Sequence, residues 1–215
     1  AAYSEQGQAG NTKSWESAEY LKDWGLTSMN ASTAYALGFN GSGVKIGVMD
    51  SGVLLNHPEF QDGRIHVVKT EGTYSKDGMR YPDASVGNGP INKNEPVKNG
   101  KRNFDKTDNG IFTKGEAFNI DGAWHKYTND AHGTHVGGTM AASRDGNEMH
   151  GVAFGANLYS ANTGGNDNMT YGPNQDYDFF LQGYSALADV GAKVINNSWG
   201  SNRRVNSSFA GALGY

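Results

Sequence analysis

The chain has 215 residues, enough to bury a core of its own, and its length favours a single domain. A formal net charge of −4 and a pI near 5.8 provide no basic face, which argues against nucleic acid and an anionic membrane surface as partners. Glycine, at 31 residues, is about twice its usual ~7% share, the mean hydropathy is −0.64 and cysteine is absent, so the reading is a loop-rich chain without disulfides or thiolate metal sites. The opening "AAYSEQGQAGNTKS" lacks the charged-then-apolar pattern of a signal peptide, and no apolar run approaches the roughly 18 residues that span a bilayer. The expectation is a mature, soluble piece from which any targeting peptide has gone.

Residues 1–13 read as a polar tail, and residues 14–215 as the rest of one domain. "SWESAEYLKDWGL" predicts a helix capped by Ser14, apolar at helical spacing through Trp24 and stopped at Gly25. A second, shorter helix is predicted from Asn30, as N-cap, to Leu37, with Gly38 closing it. The strand Val44–Met49 follows, apolar except for Lys45 and Gly47, as suits a central parallel strand. Further strands are predicted at Ile65–Lys69, Asn157–Asn162 and Lys193–Asn197, and helices at His132–Ala142 and Asp178–Val190, the latter closed by Gly191. Alternating strands and helices predict an α/β domain with a mostly parallel sheet. Between Thr70 and Tyr127 the alternation stops in a stretch rich in Gly, Asn and Pro, read as a long surface insertion at about 70–127. It carries nine of the 18 Lys and Arg residues, nearly matched by acids, and so reads as a solvated loop rather than a binding patch.

In open α/β sheets, reacting groups gather beyond the carboxyl ends of the strands, where helix N-termini also converge. Three features meet that rule. Asp50 ends the strand "VKIGVM", His132 opens a helix, and Ser198-Trp199-Gly200 follows the strand "KVINN". Each alone has a plain structural explanation; together they mark a candidate site.

At this point the motifs resemble a known family. "VMDSGV" followed by "NHPEF", then "HGTHVGGTMAA", "GVAFGANLYS" and "VINNSWG" are similar, in order and spacing over most of Gly41–Gly200, to the motifs of the subtilases, the subtilisin-like serine peptidases. The N-terminal segment "WESAEYLKDWGLTSMNASTAYALGFNGSGV" resembles the lead-in of subtilase passengers of Gram-negative autotransporters. The resemblance implies a three-layer subtilisin-like α/β fold, present here as its N-terminal part. It implies His132 as general base, Asp50 as the group that orients it, and Ser198, Trp199 and Gly200 as substrate-binding, with Asn196 equally readable as plain strand. His135 is then expected to pack or hydrogen-bond under the site. Zinc held by His132 and His135 with His125 or Asp130 is the competing reading, but zinc helices usually space their ligands at i and i+4, and the His-Glu-x-x-His motif is absent.

The family's nucleophile lies in a "GTSMA"-like motif and its oxyanion asparagine in a glycine-flanked loop, and neither occurs before Tyr215. Thr139 and Ser143 continue the helix away from the base, Ser51 has no base of its own, and Ser198 belongs to the cleft wall. The implied function is a secreted serine endopeptidase whose Ser and oxyanion Asn lie outside this chain. The alternative is a catalytically inactive subtilase-like peptide- or protein-binding module. Implied partners are peptide or protein substrates and the remaining C-terminal part of the peptidase domain, and the implied location is extracellular or at the surface of a bacterial cell. No cofactor is expected for catalysis. By resemblance, "SRDGNEMHG" and Glu59 could hold a structural calcium through Glu59, Asp145 and carbonyls of Ser143, Asn147 and Met149.

Overall fold

The structure, a computed structural model, describes residues 7–79, 111–112, 114–124, 131–163 and 177–199. Its core is a four-stranded parallel sheet of β1 (Lys45–Asp50), β2 (Ile65–Val67), β7 (Asn157–Asn162) and β8 (Ile195–Asn196), in the order β2-β7-β1-β8. β1 and β7 run in register from Lys45↔Asn157 to Asp50↔Asn162, so both end on the same side of the sheet. Alternation along β1 assigns the two faces. Val48, with Leu158 of β7, packs under α4 (His132–Ala141), alongside Val53, Phe60 and Ile65. Met49, with Ala161 of β7, packs on the opposite face against Phe179 and Leu187 of α5 (Tyr177–Asp189). The result is the expected three-layer α/β arrangement with a parallel sheet.

The face of α4 turned to the sheet carries Gly133, Gly137 and Ala141, all buried. Glycine costs an isolated helix up to about 1 kcal/mol per residue relative to alanine, so packing rather than propensity holds α4. Its small residues admit the close approach, and Arg64 secures the far end by donating to Ala141 O at 2.8 Å and Ala156 O at 2.9 Å. α5 closes as the sequence predicts: the N–H groups of Gly191 and Ala192 donate to the carbonyls of Ala188 and Leu187.

Two expectations are corrected. The single helix from Ser14 to Gly25 is instead a 3-10 turn (Thr12–Trp15), α1 (Ala18–Lys22) and α2 (Trp24–Ser28). Asn11, Ser17 and Asp23 each accept a backbone N–H at a new start, and Gly25 lies inside α2. These competing caps break the apolar period. α3 (Ala31–Ala36) matches the second predicted helix in span, but Asn30 is left-handed at φ 62° and its side chain makes no cap bond; this N-terminal cap buries Tyr20, Leu26, Ala31 and Tyr35. The ends of the 70–127 stretch are likewise not plain surface loop. β3 (Lys69–Thr73) and β6 (Ala117–Asp121) form an antiparallel ribbon, continued by β4 (Gly78–Met79) and β5 (Ile111–Phe112). Phe118 and Tyr74 from this ribbon enter the α5-side core. The rest of the stretch lies outside the described residues.

Candidate active site

Asp50 closes β1 and is only 3% exposed. Ser51 N–H donates to its Oδ1 at 2.7 Å, and Thr163, just past β7, donates its N–H to the Asp50 carbonyl at 2.7 Å. The chain then turns at Gly52, whose φ of 92° is left-handed and where a Cβ would stand 2.5 Å from Ala123 O. Val53 pairs with the strand leaving β6, donating to Gly122 O at 3.1 Å.

The start of α4 docks onto this loop. Gly133 N–H donates to Ser51 Oγ at 2.8 Å, and Leu54 N–H donates to Thr134 Oγ1 at 3.0 Å. A Cβ on Gly133 would lie 2.5 Å from Gly52 O and 3.0 Å from Ser51 N, a collision with backbone that cannot be relieved by a rotamer. The missing Cβ of Gly133 therefore lets helix and loop come within contact distance. The result is that His132 Nδ1 lies 2.9 Å from Asp50 Oδ1 and 3.1 Å from Oδ2. The carboxylate only accepts, so Nδ1 carries the proton and donates, which places the basic lone pair on Nε2. The His132 side chain is 51% exposed while that of Asp50 is 3% exposed, so the imidazole faces solvent and its orienting group does not.

The hydroxyls set aside at the sequence level have other partners. Ser51 Oγ takes the Gly133 N–H, Thr139 Oγ1 donates to His135 O, Ser143 Oγ donates to Glu59 O, and Ser198 Oγ accepts from Asn196 Nδ2. His135 is a correction. It does not sit under the site but is exposed, because α4 turns its glycine face to the sheet. It lines an apolar groove of about 750 Å³ with Leu54, Phe60, Trp124, Thr134 and Met149. Buried His150 also borders that groove. Burial pushes its ring toward the neutral form; Nδ1 donates to Gly151 O at 2.8 Å, and Nε2 has no partner. His125, Asp130 and Gly200 lie outside the described residues. Among those described, neither His132 nor His135 belongs to a cluster of three metal-capable side chains.

These features place a carboxylate-oriented histidine at the carboxyl end of a parallel strand. Residues 41–215 match the family Peptidase_S8, described as the Subtilase family. The chain belongs to the subtilase family. Over 204 residues it is 35% identical to an extracellular serine protease of Serratia marcescens, covering 93% of this chain and 14% of that protein. Bacillopeptidase F of Bacillus subtilis is 31% identical over 189 residues, 83% of this chain and 10% of that protein. Subtilisin BL of Lederbergia lenta is 26% identical over 178 residues, 83% of this chain and 45% of that protein. The segment of this subtilase thus spans about a seventh of the Serratia relative.

Beyond the other end of α4 lies a second polar centre. Carboxylate oxygens of Glu19, Glu59 and Asp145 lie within 4.8 Å of one another. Burial pushes Glu59 up to about 7, reinforced by the charges of Asp145, Glu19, Glu148 and Asp62, and its buried Oε2 has no partner. Burial also raises Glu19, against two hydrogen bonds that its carboxylate accepts from the N–H groups of Asp145 and Gly146. Of the residues expected here, Glu59 and Asp145 come together. Ser143 binds the Glu59 carbonyl through its N–H and hydroxyl, Asn147 donates its N–H to Asp145 Oδ1, and Met149 is 48% exposed on the groove. Glu19 was missed because it sits in a helix 126 positions from Asp145, with no local motif to mark it.

Proposed function

We propose that this subtilase segment supplies the base and its orienting carboxylate to a secreted serine endopeptidase. The observation that carries the reading is the contact of His132 Nδ1 with buried Asp50 at 2.9 Å, formed where a parallel strand ends and a helix begins. His132 Nε2 accepts the proton of a serine hydroxyl as its Oγ bonds to the scissile carbonyl carbon, then returns it to the departing amine. Water repeats the sequence on the acyl-enzyme and releases the acid product. The serine and the oxyanion asparagine come from the C-terminal remainder of the peptidase domain. That remainder packs in the groove beside α4 and along β8, which lies at the end of the sheet among the described residues. Ser198, Trp199 and, by the family likeness, Gly200 are the substrate-binding residues, at an edge where a peptide pairs as an added strand.

Secretion to the cell exterior accords with the likeness to a relative named as an extracellular protease, and the resemblance of the N-terminal segment adds the reading of an autotransporter passenger. No helix among the described residues is long and apolar enough to cross a membrane. The 70–127 insertion borders the cleft: its returning limb, at Gly122–Trp124, pairs with Val53 three residues after Asp50.

Glu19, Glu59 and Asp145 fit a structural calcium. They offer hard carboxylate oxygens, one orphaned, in a setting where mutual repulsion is relieved by a cation. The ion would neutralise this cluster and fix the loop after α4; it takes no part in the proton transfers.

The test is hydrolysis of unfolded protein by the complete polypeptide. Inhibition by a serine-directed fluorophosphonate and resistance to phenanthroline are expected. Inhibition by phenanthroline alone would return the zinc reading. Peptide binding without cleavage would identify an inactive binding module.

A further inference from the structure

We propose that Trp199 is a positioning residue for the Asp50–His132 pair, a role beyond the substrate contact assigned above and resting on that assignment of the pair. Gly47 N–H donates to Val194 O at 2.8 Å, so the backbone groups of Gly47, and by alternation those of Met49, face β8. β8 pairs with β1 only at Gly47↔Ile195 and Val48↔Asn196, while β1 continues to Asp50. The carbonyl of Met49 therefore lies beyond the last backbone pair. Trp199 Nε1–H donates to it at 2.6 Å, taking the place of the next ladder bond.

The indole is held from behind. Its ring packs on Phe180 of α5 with centroids 5.5 Å apart, and Tyr184 of the same helix donates to Asn197 Oδ1 at 2.8 Å. The chain leaving β8 is thus fastened to α5 on one side and, on the other, to the carbonyl of the peptide that joins Met49 to Asp50. That tie fixes the spacing between the substrate-binding edge and the buried carboxylate. Trp199 remains 43% exposed, so substrate seated on this edge can bear on a residue bonded directly beside the orienting carboxylate.

The experiment compares labelling rates by a small fluorophosphonate, which needs no peptide edge, with peptide kcat and KM in the complete enzyme. Trp199→Phe keeps an aromatic ring on Phe180 and removes the N–H. Benzothienylalanine at position 199 keeps the bicyclic shape and removes only the N–H, which guards against a misfolded Phe variant. Phe180→Leu removes the ring contact and leaves the donor. Labelling about 10-fold slower in both N–H-less proteins, with a matching loss in kcat, KM within twofold and a smaller loss in Phe180→Leu, is the expected result. Labelling within twofold of wild type, with KM raised, would overturn the proposal and leave Trp199 as cleft wall. Asp50→Asn is the reference: if it does not slow labelling, the assignment of the pair fails first and the proposal with it.

Discussion

At its N-terminal end, α4 sets one imidazole against one buried carboxylate; about 15 Å away, past its C-terminal end, three carboxylates converge. The first centre is electrostatically complete. Asp50 accepts from Ser51 N–H and His132 Nδ1–H, and the helix start is bonded to the same loop through Ser51 and Thr134. The second is frustrated, because Glu19 and Glu59 are buried beside each other and Asp145, and Glu59 is driven toward its protonated form. The contrast separates two kinds of site. Asp50 is satisfied by donors of the protein's own, whereas Glu19, Glu59 and Asp145 set like charges side by side, the setting in which the proposed cation would act.

The largest effect should come from breaking the complete centre at its charge. Asp50→Asn in the full polypeptide is expected to lower kcat by roughly 10⁴-fold, because the amide no longer enforces the Nδ1–H tautomer or stabilises the imidazolium. A loss under tenfold would show that another group orients His132. Next comes the approach that creates the pair. Gly133→Ala drives a Cβ into the Gly52 carbonyl, and about 2–4 kcal/mol of destabilisation is expected. A calorimetric Tm lower by roughly 5–10 °C should accompany a fall in kcat/KM of about 100-fold or more; an unchanged Tm would contradict the docking described.

The incomplete centre should respond to ions rather than to substrate. Excess chelator should lower Tm by several degrees relative to calcium at 100 times its Kd, a stabilisation of about 2.7 kcal/mol. Identical melting curves would remove calcium from the account. The smallest effect is that of pH. Because Glu59 is raised from 4.5 to about 7, its folded-state preference for the proton stabilises the protein below about pH 4.5 and is lost as pH rises toward 7. In chelator, Glu59→Gln should therefore melt above wild type at pH 7 and near it at pH 4.5. The comparison of the two proteins cancels the opposite trend from His150, whose depressed pKa weakens the fold as pH falls below about 6.5. A constant difference across that range would show that Glu59 does not titrate as described.

The parts legible in the sequence were those with a local physical signature. β7 and the starts of α4 and α3 lay where apolar period and turn glycines indicated. So did Asp50 and His132, whose neighbours form dense motifs. What escaped was long-range. Glu19 joins Glu59 and Asp145 only after the N-terminal cap folds over the loop following α4, and Arg64 is a helix clamp that nothing in "DGRIHV" announces. The misplaced helix from Ser14 to Gly25 was a competition between a good apolar period and three capping side chains, which the caps won. His135 was misplaced for a different reason. It shares the exposed face of α4 with His132, because the buried stripe of Gly133, Gly137 and Ala141 decides which side of the helix meets the sheet.

Asp50 and His132 are proposed to activate a serine that lies outside these 215 residues. The direct measurement is to label the complete polypeptide with a fluorophosphonate probe, digest it, and locate the modified serine by mass spectrometry in wild type and in His132→Ala. The expected result is one labelled serine beyond Tyr215, with labelling lost in His132→Ala. A labelled serine within residues 1–215, or labelling undiminished without His132, would contradict the account.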